Sequence, residues 1–217
     1  MEHTPTLPVL TAEEQRVLGA LMEKARTTPE YYPLTLNALL AACNQKTSRR
    51  PVVSYDEHTV IAALDSLKRK GLVSTATGGS SRVTKYKHNF AIVHPLVPAE
   101  ISVICLLLLR GPLTPGEINT NAGRLYEFES LAEVQELLDE LAGGEVPYVL
   151  QLPKRPGQKE ARYAHLLGGT DIVDEEPVSD GYAETGQGSQ LEERLAKVEQ
   201  DLAELREAFD NLMKELS

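Results

Sequence analysis

An internal repeat dictates how this 217-residue chain folds. The tetrapeptide Leu64-Asp65-Ser66-Leu67 corresponds to Leu138-Asp139-Glu140-Leu141, and Tyr86-Lys87-His88 corresponds to Tyr163-Ala164-His165. The offset is 74 residues at the first pair and 77 at the second, so the last connection is longer in the second copy. Self-similarity of this kind indicates an internal duplication, in which one folding unit is used twice.

The first copy contains three helix signals and then a hairpin signal. Residues 11–14 form a predicted capping box, and a second helix is predicted from Thr35 to Asn44. A third helix is predicted to begin with a capping box at residues 54–57, to end at Gly71, and to bury Val60, Ile61, Leu64 and Leu67. The strings "LVSTAT" and "RVTKYKHNF" then favour two strands joined by a turn.

The second copy repeats this order. Residues 101–109 predict a buried helix, residues 114–117 a capping box, and Ser130 the start of a third helix that buries Val134, Leu137, Leu138 and Leu141. The strings "PYVLQL" and "ARYAHLL" favour two more strands. The predicted fold class is mainly α with small β-hairpins, as two tandem winged helix-turn-helix domains over residues 1–95 and 96–169.

The C-terminal quarter has a different character. Residues 170–190 are rich in Gly, Asp, Glu and Ser and predict an acidic flexible linker. Residues 191–217 predict a coiled-coil helix that makes the protein a homo-oligomer, because apolar residues recur in alternate steps of four and three. This seam consists of Leu191, Leu195, Val198, Leu202, Leu205, Phe209, Leu212 and Leu216. The pattern leaves both the number of chains and their orientation open.

Charge is distributed unevenly along the chain. Residues 1–95 carry a net charge of +4, residues 96–169 a net charge of -4, and residues 170–217 a net charge of -10. A polyanion is therefore expected to meet the first domain and to be repelled by the tail. Two separated cysteines and the absence of an apolar run of membrane-spanning or signal-peptide length predict a cytoplasmic protein that does not enter a membrane.

Several long strings resemble the YceH-like family of uncharacterised bacterial proteins. These strings are "YYPLTLNALLAACNQKTSRRPV" in the first copy, and "GPLTPGEINTNAGRLYEF" and "LPKRPGQKEARYAHLL" in the second. The resemblance covers roughly residues 8–168. It implies two tandem winged-helix domains in a bacterial cytosolic protein, and it implies no catalytic or ligand-binding residues.

Basic residues of the first domain fall in three segments that flank a duplex in winged-helix proteins. The predicted DNA-binding residues are Lys46, Arg49, Arg50, His58, Thr59, Arg69, Arg82, Lys85 and Lys87. The alternative is that these charges solvate loops and complement a helix C-terminus. The outward positions of the third helix offer few long side chains for base contacts. Weak or nonspecific DNA binding is therefore expected rather than sequence-specific binding.

Other candidate sites in the sequence favour non-enzymatic roles. The third helix of the second domain is acidic, which favours protein contacts, and Tyr126 and Phe128 are interpreted as packing residues. The histidines are scattered without metal-ligand spacing, so no metal, cofactor or catalytic residue is predicted. The sequence predicts a DNA-associated regulatory or architectural protein; the alternative is a protein-interaction scaffold that does not bind DNA.

Overall fold

The structure is a computed structural model that describes residues 7–76, 83–154 and 158–169. It is mainly helical and contains two small antiparallel sheets, as the sequence predicted. All described residues belong to one compact unit, and the division at residue 95 stays a prediction.

The first repeat contains three main helices and a three-stranded sheet. Its elements are α1 (Ala12–Thr27), a 3-10 turn (Pro29–Tyr31), β1 (Leu34–Thr35), α2 (Leu36–Cys43), α3 (Glu57–Arg69), β2 (Val73–Ala76) and β3 (Lys85–His88). The strand order is β1-β3-β2. Thr11 caps α1 in the predicted capping box, because its hydroxyl accepts from Glu14 N and its own N–H donates to the Glu14 carboxylate.

The second repeat has the same order of elements. After the short helix α4 (Phe90–Val93) come α5 (Pro98–Arg110), α6 (Pro115–Ala122), α7 (Leu131–Gly143), β4 (Val149–Gln151) and β5 (Tyr163–His165). Strands β4 and β5 pair in antiparallel register.

One pairing demonstrates the repeat in three dimensions. Leu34 pairs with Tyr86 in the first repeat, and Leu113 forms an isolated bridge with Tyr163 in the second. Each leucine is followed by a threonine whose hydroxyl caps the next helix, α2 or α6. The matching residues found in the sequence therefore occupy equivalent positions in the two halves.

Two details of α3 differ from the sequence prediction. The helix is capped by Asp56, whose carboxylate accepts from Thr59 N at 2.8 Å, and the predicted Ser54 capping box does not form. Ile61 is 39% exposed, whereas Ala63 is buried in its place. The buried face of α3 is formed by Val60, Leu64 and Leu67. Ile61 lies at the edge of this face and is therefore partly exposed.

The two repeats share one hydrophobic core through α1 and α5. A Cβ atom on Gly19 would lie 2.9 Å from the Leu109 side chain and 3.2 Å from Leu108, so a larger residue would require the Leu109 side chain to shift. The Cys105 thiol donates to the Gly19 carbonyl at 3.5 Å. Both cysteines, Cys43 and Cys105, are buried free thiols, as predicted.

Candidate nucleic-acid interface

Buried polar contacts hold the loop between α2 and α3, residues 44–56, in a single shape. Asn44 Nδ2 donates to Tyr55 O, and Tyr55 N donates to Asn44 Oδ1, both at 2.8 Å. From α1, the buried Arg16 donates to the carbonyl oxygens of Cys43 and Pro51. Because the loop is already ordered, a ligand that binds to it requires little further loss of conformational entropy.

Arg49 lies inside this network and not on the surface, where the sequence prediction placed it. Its side chain is 0% exposed, and it donates to both carboxylate oxygens of Glu23 at 3.0 and 2.6 Å. It also donates to the carbonyl oxygen of Ala42. Burial raises the pKa of Glu23, but the Arg49 hydrogen bonds and charge outweigh it and hold the pKa below its usual value. Arg49 therefore has no surface to offer a phosphate, and its role is structural.

Lys46 and Arg50 are the exposed cations of this loop. Arg50 N donates to the carbonyl of Leu109 at 2.8 Å, which seats the loop on the last turn of α5. Neither side chain has a carboxylate partner in the described part of the chain. Both positions are thus open to an external anion.

The exposed face of α3 is mixed rather than cationic. The predicted residues His58 and Arg69 are exposed, but they lie roughly 17 Å apart along the helix axis. Thr59 is half-buried. Between these residues the exposed positions are Ile61, Ala62 and Asp65, with Glu57 beside His58.

Two other cations at the end of α3 are committed to neighbours. Lys70 binds the buried Glu14 carboxylate at 2.6 Å, and it also donates to the carbonyl of Val9. Burial raises the pKa of Glu14, but the hydrogen bond from Lys70 and its other partners hold it below the usual value. Lys68 pairs with Asp65 at 3.2 Å and lies 5.1 Å from the centre of the Tyr86 ring.

Lys85 and Lys87, two of the predicted basic residues of the hairpin, face away from α3. Since Lys68 of α3 covers the Tyr86 ring, Tyr86 marks the sheet face that is turned toward the helix. Side chains alternate along a strand, so Lys85 and Lys87 lie on the opposite face. The remaining predicted residue, Arg82, lies outside the described residues.

The second repeat presents a more acidic surface. Glu129, Glu136, Asp139 and Glu140 are exposed on or beside α7. Arg162 binds Glu117 of α6 at 2.8 and 3.1 Å, and it also donates to the carbonyl of Pro112. Tyr126 and Phe128 are half-buried and pack against the core, with their ring centres 4.9 Å apart. These contacts agree with their interpretation as packing residues.

The histidines of the Tyr-x-His repeat are held in their neutral form. Burial lowers the pKa of His88 to about 4 and that of His165 to about 4. His88 Nδ1 accepts a hydrogen bond from Phe90 N at 3.3 Å. His165 Nδ1 has no partner within the described ranges.

The described residues offer neither a metal site nor a membrane-spanning helix. They contain no group of three or more His, Cys, Asp or Glu side chains that could hold a metal ion. They also contain no helix of sufficient length and hydrophobicity to cross a membrane. The eight predicted oligomerisation residues, Leu191 to Leu216, lie outside the described residues.

Comparisons with known proteins identify relatives along most of the chain. The family model described as "Protein of unknown function, DUF480" matches residues 10–158. A UPF0502 protein of Shewanella piezotolerans is 47% identical over 204 residues, which cover 91% of this chain and 94% of the relative. A UPF0502 protein of Opitutus terrae is 49% identical over 201 residues, covering 92% and 84%. The chain therefore belongs to the DUF480/UPF0502 family of bacterial proteins, in agreement with its YceH-like resemblance.

Proposed function

We propose that this protein binds duplex DNA weakly and without catalysis, as a regulatory or architectural protein. In this proposal each repeat is a winged-helix domain, and the first supplies the DNA contacts. The order of three helices followed by a strand pair, with a further strand residue before the second helix, supports the winged-helix assignment. A fold alone does not establish function, so the proposal depends on the surface of the first repeat.

The observation that supports this proposal best is loop 44–56, in which Lys46 and Arg50 are exposed and have no ion-pair partner among the described residues. The buried Arg16 and Arg49 hold the loop in place by hydrogen bonds to backbone carbonyl oxygens. Lys46 and Arg50 are exposed on the same loop. Phosphate contacts of this type add affinity without reading sequence, because every nucleotide carries the same phosphate. Among the DNA-binding residues predicted from the sequence, Lys46 and Arg50 are the best placed to contact phosphates.

A salt titration of duplex DNA binding tests the proposal. Each phosphate contact releases counterions, so the logarithm of the binding constant should fall steeply with the logarithm of salt concentration. The double variant Lys46→Gln/Arg50→Gln is expected to reduce the magnitude of that slope by about 2. The matched control Arg124→Gln/Lys159→Gln removes the same charge from exposed positions of the second repeat and should leave the slope unchanged. If the folded parent chain is not retained by DNA at low salt, the proposal fails.

A second candidate function is a protein-interaction scaffold, which the exposed face of α3 favours. Ile61 and Ala62 form a small apolar centre on this face, and Glu57 and Asp65 lie beside it. Such a surface suits a protein partner better than a phosphate backbone, which the carboxylates repel. If the titration shows no binding to duplex DNA, the protein-interaction scaffold becomes the leading function.

We further propose that the chain self-associates through its C-terminal heptads. The variant Leu202→Asp/Phe209→Asp places charges in the apolar seam, so it should lower the sedimentation mass of the full chain to that of a monomer. The control Ala203→Asp/Asn211→Asp adds two carboxylates off the seam and should keep the oligomer. An unchanged mass in the seam variant, or a monomeric parent, would reject this prediction.

A further inference from the structure

Several cations lie where the two repeats meet. The bond from Arg50 N to Leu109 O brings loop 44–56 of the first repeat against the C-terminal end of α5 in the second. Arg110 follows Leu109 directly and is half-buried. The cationic loop and Arg110 therefore lie at the same junction.

We define the junction cluster by the ion pairs and charge interactions around Arg110. Its acidic members are Glu23 and Glu117; its cations are Lys24, Arg49, Arg50, Arg110 and Arg162, and the exposed Lys46 lies in the same loop as Arg50. Glu23 is occupied by Lys24 and Arg49, and Glu117 is occupied by Arg162. This leaves Lys46, Arg50 and Arg110 without an ion-pair partner in the described part of the chain.

Repulsion within the cluster favours an external anion. Burial and the positive charge of Arg50 lower the pKa of Arg110, whereas the carboxylates of Glu23 and Glu117 act in the opposite direction. Like charges held near one another store unfavourable electrostatic energy, which a bound anion relieves. The bond from Arg50 N to Leu109 O keeps the backbone of Arg50 next to that of Arg110.

The negative end of the α5 dipole explains only part of this arrangement. A helix C-terminus is equivalent to roughly half of one negative charge. Arg50 and Arg110 together exceed what that partial charge can balance, and the nearby carboxylates of Glu23 and Glu117 are already paired with Arg49 and Arg162. The excess points to a polyanionic partner with repeated phosphates.

The surface of α3 is a poorer path for the same partner. Glu57 and Asp65 are exposed there, and both repel phosphates. Lys85 and Lys87 lie on the sheet face turned away from α3, so they do not extend its surface. A duplex on α3 would therefore meet carboxylates.

We infer that duplex DNA lies across the junction between the repeats, where Lys46 and Arg50 of the first repeat and Arg110 of the second contact its phosphate backbone. This inference rests on the proposed DNA binding and assigns its site. Arg110 becomes a binding residue, while α3 stays free for a different partner. Binding at this site is independent of base sequence, because backbone contacts carry no sequence information.

The test measures anisotropy of a fluorescent duplex of mixed sequence bound to the full chain over a range of salt concentrations. Arg110→Gln should reduce the magnitude of the salt slope by about 1, whereas Arg110→Lys should retain it. The control Arg69→Gln/Lys87→Gln removes two exposed cations from α3 and β3 and should leave the slope unchanged. The opposite pattern, in which the control loses slope and Arg110→Gln does not, overturns the inference while DNA binding itself stands.

A second readout uses the parent chain and so does not depend on a variant that folds. Arginines are modified with a dicarbonyl reagent with and without DNA, and the products are located by mass spectrometry. DNA should protect Arg50 and Arg110 but leave Arg69 reactive; protection of Arg69 alone overturns the inference. A parent chain that does not bind the duplex at low salt overturns the proposed function as well, so the two failures are distinguishable.

Discussion

Replacement of Arg49 with alanine is expected to lower the free energy of unfolding by about 3 kcal/mol, because it removes the buried partner of the Glu23 carboxylate and leaves only the ion pair with Lys24. The Arg49 guanidinium is fully enclosed, and both of its terminal nitrogens donate to Glu23. The change also removes the donors to the Ala42 carbonyl at the end of α2. Urea denaturation followed by far-UV circular dichroism measures the loss.

Two comparisons isolate the ion pair. Glu23→Ala should cost a similar amount, since it leaves the guanidinium unpaired in the same place. The double variant Glu23→Leu/Arg49→Met should be more stable than either single variant, because no buried charge then lacks a partner. A cost for Arg49→Ala below about 1 kcal/mol, which is typical of exposed ion pairs, would contradict the structural role of Arg49.

Acidification is expected to destabilise the fold between about pH 6.5 and pH 4. His88 and His165 have pKa values of about 4 in the folded chain, against an ordinary value of 6.5. The unfolded chain therefore binds protons first as the pH falls, and stability that is fully present above pH 6.5 is lost through this window. The two shifts correspond to about 3 kcal/mol for each histidine.

The measurement is the free energy of unfolding in urea at several pH values from 4 to 7. His165→Gln and His88→Gln should each flatten the pH dependence, because glutamine stays neutral throughout. The exposed His58 provides a control, and His58→Gln should leave the curve of the parent unchanged in shape. A parent curve that is flat over this range would refute the prediction.

Helix positions and the repeat were predictable because they depend on short-range chemistry. Thr11, Thr114 and Ser130 cap helices where the sequence placed them, since a hydroxyl that precedes free backbone N–H groups acts locally. The capping error at Ser54 has a local cause as well. Asp56 is an equally good cap two residues later, and the pattern of buried residues in α3 accommodates either start.

The site was less predictable, because exposure depends on residues that are distant in the chain. Lys46, Arg49 and Arg50 are nearly adjacent and chemically alike in the sequence. Glu23, 26 residues before Arg49, draws that side chain into the interior, while Lys46 and Arg50 stay outside. Arg110 was missed for the same reason, since only the packing of the loop on α5 brings it beside Arg50. In the sequence Arg110 is a single arginine before Gly111, a pattern that ordinarily indicates only the end of a helix.

The sequence by itself determined the family, the mainly helical class, the repeated order of elements and the reduced, buried state of the cysteines. These properties follow from periodicity, caps and matching strings, each of which is contained in a few neighbouring residues. Tertiary structure decided which cations pair inside and which stay exposed, and it joined the two repeats through Gly19 of α1 and Leu109 of α5. Such choices depend on side chains that are far apart in sequence and meet only when the helices pack, because a charge is buried or exposed according to the partners that surround it.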